Sequence, residues 1–339
     1  MSARSRIILI YIILLAANAA AWAWALLTLR GYPVLLGTAL LAYTFGLRHA
    51  VDADHIAAID NVTRKLMQQG KKPVAVGFFF ALGHSSIVAL GAGAVALTTT
   101  ELDTRFAALK DIGGVIGTSI SALFLLLIAA MNLFILRGVY RSFQRVRRGE
   151  RYVEADFDML SAQGGVMARL FRPLFGLMTA SWHMYPLGFL FGLGFETATE
   201  VALLGMSAEQ AARGADLATI LMFPALFTVG MTLIDTTDGV LMLGAYGWAF
   251  VKPIRKLYYN MTITLVSAVV ALLIGGIETL GLLADQLALK GRFWSMIGTL
   301  TDSFGLLGYL IIGLFIVSWL VSALIYRLKR FDEIEAVGK

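Results

Sequence analysis

Long apolar stretches constrain this chain more than any other feature of its sequence. They fall near residues 7–29, 33–60, 74–98, 112–136, 174–205, 217–249, 258–284 and 304–326, with polar segments between them. A helix needs about 20 apolar residues to cross a hydrocarbon core, and only helices or closed barrels satisfy every backbone N–H and C=O there. No segment alternates apolar and polar residues with the period of two that barrel strands require. The expected fold is therefore an all-α integral membrane protein of about eight transmembrane helices. With 58% hydrophobic and 15% charged residues, the 339-residue sequence cannot cover itself with polar surface, which excludes a soluble globular class. The stretch 7–29 follows Arg4 and Arg6 as a secretory leader would, yet it has the length of a full span and no small-residue cleavage pattern, so it reads as the first helix.

The polar segments carry orientation. Sorted by loop, 21 Lys and Arg residues fall on one side and 6 on the other, with Arg48 inside a span. Basic loops stay in the cytoplasm, so both termini are expected there, in a multi-pass protein of the cytoplasmic (inner) membrane. The same distribution accounts for the formal charge of +6 and leaves no nucleic-acid partner to explain. The basic loop 137–172 between helices four and five is expected to be a solvated linker inside a single transmembrane domain, 1–339. It also divides the chain into halves. Phe45-Gly46-Leu47 followed by Asp54 recurs as Phe191-Gly192-Leu193 followed by Glu200, each on a span that opens a group of three. A repeat offset by three spans is inverted in the membrane, so the match points to an inverted three-plus-three helix repeat.

Cysteine is absent, which leaves imidazole nitrogen and oxygen as the ligands available to any metal. The second span carries Arg48-His49-Ala50-Val51-Asp52-Ala53-Asp54-His55, five ionisable groups in eight residues. One charge at the bilayer centre costs roughly 2.5–3.5 kcal/mol on insertion scales, so such a cluster needs mutual partners or a ligand. On a regular helix Arg48, His49, Asp52 and His55 share about one third of the circumference while Asp54 points away, so either the helix is irregular or Asp54 has a partner elsewhere. Further spans add His84, then Glu196 with Glu200 at i, i+4, and Asp235 with Asp238 at i, i+3. All four histidines sit in apolar stretches, a confinement that favours ligation or proton relay.

Each residue also has a plainer role open to it. Arg48 can neutralise Asp52 or Asp54, and His84 can be a structural histidine. His183, beside Trp182 and Tyr185, fits interfacial anchoring as well as ligation. Asp60, near Arg64 and Lys65, reads as a surface ion pair. The threonines around Asp235 and Glu196 read as partners of carboxylates or backbone.

The segment from Arg48 to Ile56 resembles the second-helix signature of the nickel/cobalt transporter family. Leu82-Gly83-His84-Ser85, the segment Leu193 to Glu200 and the segment Gly230 to Gly239 are similar to three further motifs of that family, in the same order. Glu196 departs from it, standing where the family usually has Asp. The resemblance implies eight helices, uptake of Ni2+ or Co2+ by a single-component secondary permease, and dependence on the His and Asp residues of the second helix. No Gly-x-x-x-x-Gly-Lys-Ser/Thr loop for nucleotide is present. The expected metal path is His49, Asp52, Asp54, His55, His84, Glu196, Glu200, Asp235 and Asp238, with the metal ion as cargo, no cofactor, lipid as surroundings and no enzymatic step. An exporter of similar architecture, or a metal-binding subunit or sensor of a larger complex, shares the same constellation and stays open.

Overall fold

The computed structural model describes residues 2–97, 103–148, 178–194, 197–249 and 253–328, and among them the chain is helical with no strand. Among the described residues eleven helices follow one another: α1 (Ala3–Thr28), α2 (Pro33–His49), α3 (Ala53–Gln68), α4 (Val76–Leu97), α5 (Asp103–Arg147), α6 (Met184–Phe191), α7 (Ala198–Ala212), α8 (Leu217–Ala249), α9 (Pro253–Gln286), α10 (Arg292–Asp302) and α11 (Phe304–Leu328). Much of the linker 137–172 lies outside the described residues. The helices turn large apolar side chains outward, among them Leu15, Leu27, Leu241 and Leu320. Lipid tails make that arrangement inexpensive, whereas water would not.

The all-α membrane architecture agrees with the sequence, while the expected eight spans are not all accounted for among the described residues. Among those residues six helices, α1, α4, α5, α8, α9 and α11, are long and apolar enough to cross a bilayer. The stretch 33–60 is two helices, α2 and α3, bent by 51° at Ala50–Asp52, and as one broken span it brings the number to seven. The stretch 174–205 is likewise interrupted. It holds a 3-10 turn over Ser181–His183, α6, a second 3-10 turn over Gly192–Gly194, and then α7. Apolar length alone cannot register such breaks, because a half-helix and a full helix have the same composition.

The two halves exchange contacts. α2 packs on α8 with Gly46 against the carbonyl of Phe227, and α6 packs on α4 with Gly188 against the carbonyl of Phe80. Reciprocally, Gly230 of α8 rests on Tyr43 and Leu47, and Gly83 of α4 on Tyr185 and Phe189. The two sets of contacts match position by position, Gly46 with Phe227 as Gly188 with Phe80, and Gly230 with Tyr43 as Gly83 with Tyr185. Matched contacts of this kind are what an inverted repeat would produce. The register differs from the sequence match: Gly46 corresponds to Gly188, one helical turn before the Phe191-Gly192-Leu193 segment that resembles Phe45-Gly46-Leu47. Short Phe-Gly-Leu identity is a weaker guide than the glycines that let backbones touch.

α1 lies outside this repeat against α2 and α8, fastened where Tyr43 donates to Asn18 Oδ1 at 3.0 Å and Asn18 donates to the carbonyl of Val229 at 3.3 Å. α11 closes the other flank on α3, its Gly308 against the carbonyl of Val51. Asp60 and Arg64 correct the sequence expectation of a surface pair. Asp60 is fully buried and accepts from Ser267 at 2.6 Å; Arg64 is 2% exposed and donates to Thr264 Oγ1 at 2.9 Å. α3 runs on to Gln68, and polar partners on α9 let both side chains stay inside.

Candidate metal centre

Both broken helices restart at the same place. Asp52 is the N-cap of α3 with extended backbone (φ −65°, ψ 146°), yet its side chain makes no capping hydrogen bond. The carboxylate turns instead to His49 Nδ1 at 3.0 Å. Thr197 caps α7, accepting from the Glu200 N–H in a capping box, and its hydroxyl donates to Glu200 Oε2 at 2.8 Å. One glutamate oxygen is thereby fixed, and the other, Oε1, meets His84 Nε2 at 2.8 Å and lies 3.9 Å from His49 Nε2. Two helix N-termini converging on one point supply partial positive charge that favours these carboxylates.

His49 ends α2, His55 lies in the first turn of α3 and His84 projects from the middle of α4. Their ring centroids form a triangle with sides of 4.7, 4.7 and 4.8 Å, and one nitrogen of each lies within 4.8 Å of the others. His49 Nε2 and His84 Nε2 are 2.9 Å apart, one donating to the other. Two ligands bound to one metal at about 2.0–2.1 Å and 90° apart would also be separated by about 2.9 Å, so the pair needs little movement to share an ion. His55 Nδ1 faces Asp235 Oδ2 at 3.3 Å. His55 Nε2, His84 Nδ1 and Asp235 Oδ1 are buried without a hydrogen-bond partner. Buried polar atoms are rarely left so, and a ligand that accepts nitrogen and oxygen donors accounts for all three.

Of the residues expected from sequence, the structure brings His49, Asp52, His55, His84, Glu200 and Asp235 together. Asp54 lies on the wall of a cavity of about 610 Å3 that also reaches His49, His84 and Glu200. The break at Ala50–Asp52 removes the regular-helix geometry that would turn Asp54 away. Asp238 stands one turn beyond Asp235 on α8, with one carboxylate oxygen buried and unpartnered. Glu196 lies outside the described residues. His183 is apart from the centre, in the turn before α6, where it accepts from the Thr179 N–H at 3.2 Å and packs against Trp182. Arg48 and Asp52 converge on Gly305 of α11, where an added Cβ would lie 3.6 Å from Arg48 Nε and 3.2 Å from Asp52 Oδ1.

Thr197, read from the sequence as a partner of carboxylates, donates to Glu200, and Thr197 and Thr199 both also place their hydroxyls 3.3 Å from His49 Nδ1. One contributor escapes the sequence reading. Glu278 on α9 lines the same cavity and is 4% exposed. Its signal was available, since an acid inside the apolar run 258–284 is a site candidate by default.

A family model described as high-affinity nickel-transport protein matches residues 35–325. The high-affinity nickel transport protein of Cupriavidus necator is 62% identical over 332 residues, covering 98% of this chain and 95% of its own. A high-affinity nickel-transport protein of Helicobacter pylori strain J99 is 42% identical, covering 92% and 94% respectively. The cobalt transport protein NhlF of Rhodococcus rhodochrous is 41% identical over 87% of this chain and 84% of its own. No solved structure matches the chain. By family model and by these identities, the chain belongs to the high-affinity nickel-transport protein family.

Proposed function

We propose that this protein takes up Ni2+ or Co2+ into the cytoplasm as a single-component secondary permease, with His49, Asp52, Asp54, His55, His84, Glu196, Glu200, Asp235 and Asp238 along the metal path. The observation that carries this reading is the buried meeting of three imidazoles with Asp52, Glu200 and Asp235 at the starts of two broken helices. Imidazole and carboxylate without thiolate suit divalent first-row metals, and relatives named for nickel and for cobalt make either ion a fitting cargo. The metal enters and leaves unchanged, so no enzymatic step and no cofactor is required.

The cavity gives the ion access from one end. Toward the other end α4 and α8 come into backbone contact, Gly77 lying against the carbonyl of Asp235. A centre reached from one side and closed on the other is what alternating access between two repeats needs. The basic-loop asymmetry favours cytoplasmic termini, an orientation that would put the cavity mouth on the outer face.

Proteoliposomes containing only the purified protein test the reading. Wild-type vesicles are expected to accumulate radioactive nickel and cobalt, which a sensor or an isolated subunit would not do. His49→Ala, Asp54→Ala and His55→Ala, each checked for monodispersity and melting temperature, are expected to lose uptake. Normal uptake per folded molecule in the histidine variants would overturn the assignment.

A further inference from the structure

Glu278 belongs to none of the four motifs, yet it is the most deeply placed carboxylate on the cavity wall outside the centre. It accepts a hydrogen bond from Ser121 of α5 at 2.9 Å and is 4% exposed. Asp285 lies seven residues further along α9, nearly on the same face and about 10 Å nearer the mouth. Asp302, at the end of α10, joins it on the wall, and both are exposed. Arg48 is the one Arg or Lys among the described residues that line this cavity. The cavity continues from Glu278 to His84, whose ring is almost fully buried and whose Nδ1 has no hydrogen-bond partner. Carboxylates thus run from solvent to the histidines along one continuous space, and low-dielectric walls focus the field of such a row on a cation.

We propose that Glu278, steadied by Ser121 and supplied through Asp285 and Asp302, is an outer station that captures the hydrated divalent cation before the His49, His84 and Glu200 centre replaces its water. This rests on the transport reading above. A purely structural Glu278, holding α5 to α9 through Ser121, predicts a different pattern of kinetics.

The test measures initial rates of nickel uptake by full-length protein in proteoliposomes across nickel concentrations, together with equilibrium nickel binding by the same protein in detergent. Glu278→Gln is expected to raise KM about tenfold, within the 10- to 10³-fold range of focused fields, with Vmax per folded molecule retained. Equilibrium affinity at the centre should stay within about threefold, because water and salt in the open cavity screen the lost charge. Glu278→Asp should restore most of the wild-type KM. The Asp285→Asn, Asp302→Asn pair should raise KM less, and that rise should vanish at high ionic strength. An unchanged KM in Glu278→Gln would overturn the proposal, as would an equal loss of Vmax and equilibrium binding, which would assign Glu278 to the centre or to helix packing. Should Glu278→Gln fail to fold, Ser121→Ala alone decides: a raised KM supports the station, and a wild-type KM overturns it. Absence of uptake by wild-type vesicles would instead sink the transport reading itself.

Discussion

At the residue scale, two carboxylates orient two imidazoles. Asp52 holds His49 through Nδ1 at 3.0 Å, and Asp235 holds His55 through Nδ1 at 3.3 Å. Carboxylates in this position fix ring orientation and raise ligand basicity, and losing one commonly costs about 10- to 100-fold in metal affinity. Asp52→Asn and Asp235→Asn keep shape and lose charge, so titration calorimetry with nickel should find affinities weakened to that extent in folded protein. Unaltered affinity would remove both residues from the centre. Protonation works in the same direction as these substitutions. Neutral imidazole ligates and imidazolium does not, so binding should weaken as falling pH protonates the rings, and metal entry should release any protons bound there. Affinity that rises in acid would contradict histidine ligation. These residue types are legible in the sequence; their partners are not, since nothing local to Asp60 shows that Ser267, 207 positions away, donates to it.

At the scale of elements, the two broken helices are the device that builds the site. Thr197 caps α7 and at the same time presents Glu200 to His84. Thr197→Ala should therefore lower thermal stability by about 1 kcal/mol, the usual worth of a cap. It should also weaken nickel binding, and a variant with unchanged affinity would show that the box serves the helix alone. The close contacts of α2 with α8 and of α6 with α4 depend on Gly46 and Gly188, where any Cβ would collide with backbone. Gly46→Leu and Gly188→Leu should each destabilise by at least about 1–3 kcal/mol, the range for overpacking. Gly37→Leu, with open space around the site, should melt like wild type. Equal melting of all three would refute the packing. The sequence read each broken element as one span because periodicity and apolar length do not change at a break that is made by N-cap geometry.

At the scale of the molecule, the absence of cysteine from the 339 residues lets single cysteines report topology without background. Asp285→Cys is expected to react with a membrane-impermeant thiol reagent applied to whole cells, and Lys72→Cys only after the cells are opened. The reverse pattern would invert the protein in the membrane and place the cavity mouth in the cytoplasm.

The sequence by itself determined the solvent, the helical class, the oxygen and nitrogen character of the ligands and the chemistry-bearing residues on four stretches, because each of these depends only on composition and local spacing. The tertiary structure decided which of those residues meet. His49 and His84 are 35 positions apart and His55 and Asp235 are 180 apart, and nothing local brings them within hydrogen-bond reach. It also decided where helices break, which glycines bring the two halves into contact and that Glu278 faces a cavity rather than lipid. Those outcomes follow from glycine-mediated approach of backbones and from caps whose side chains serve the site, terms that arise only when helices distant in sequence pack against one another.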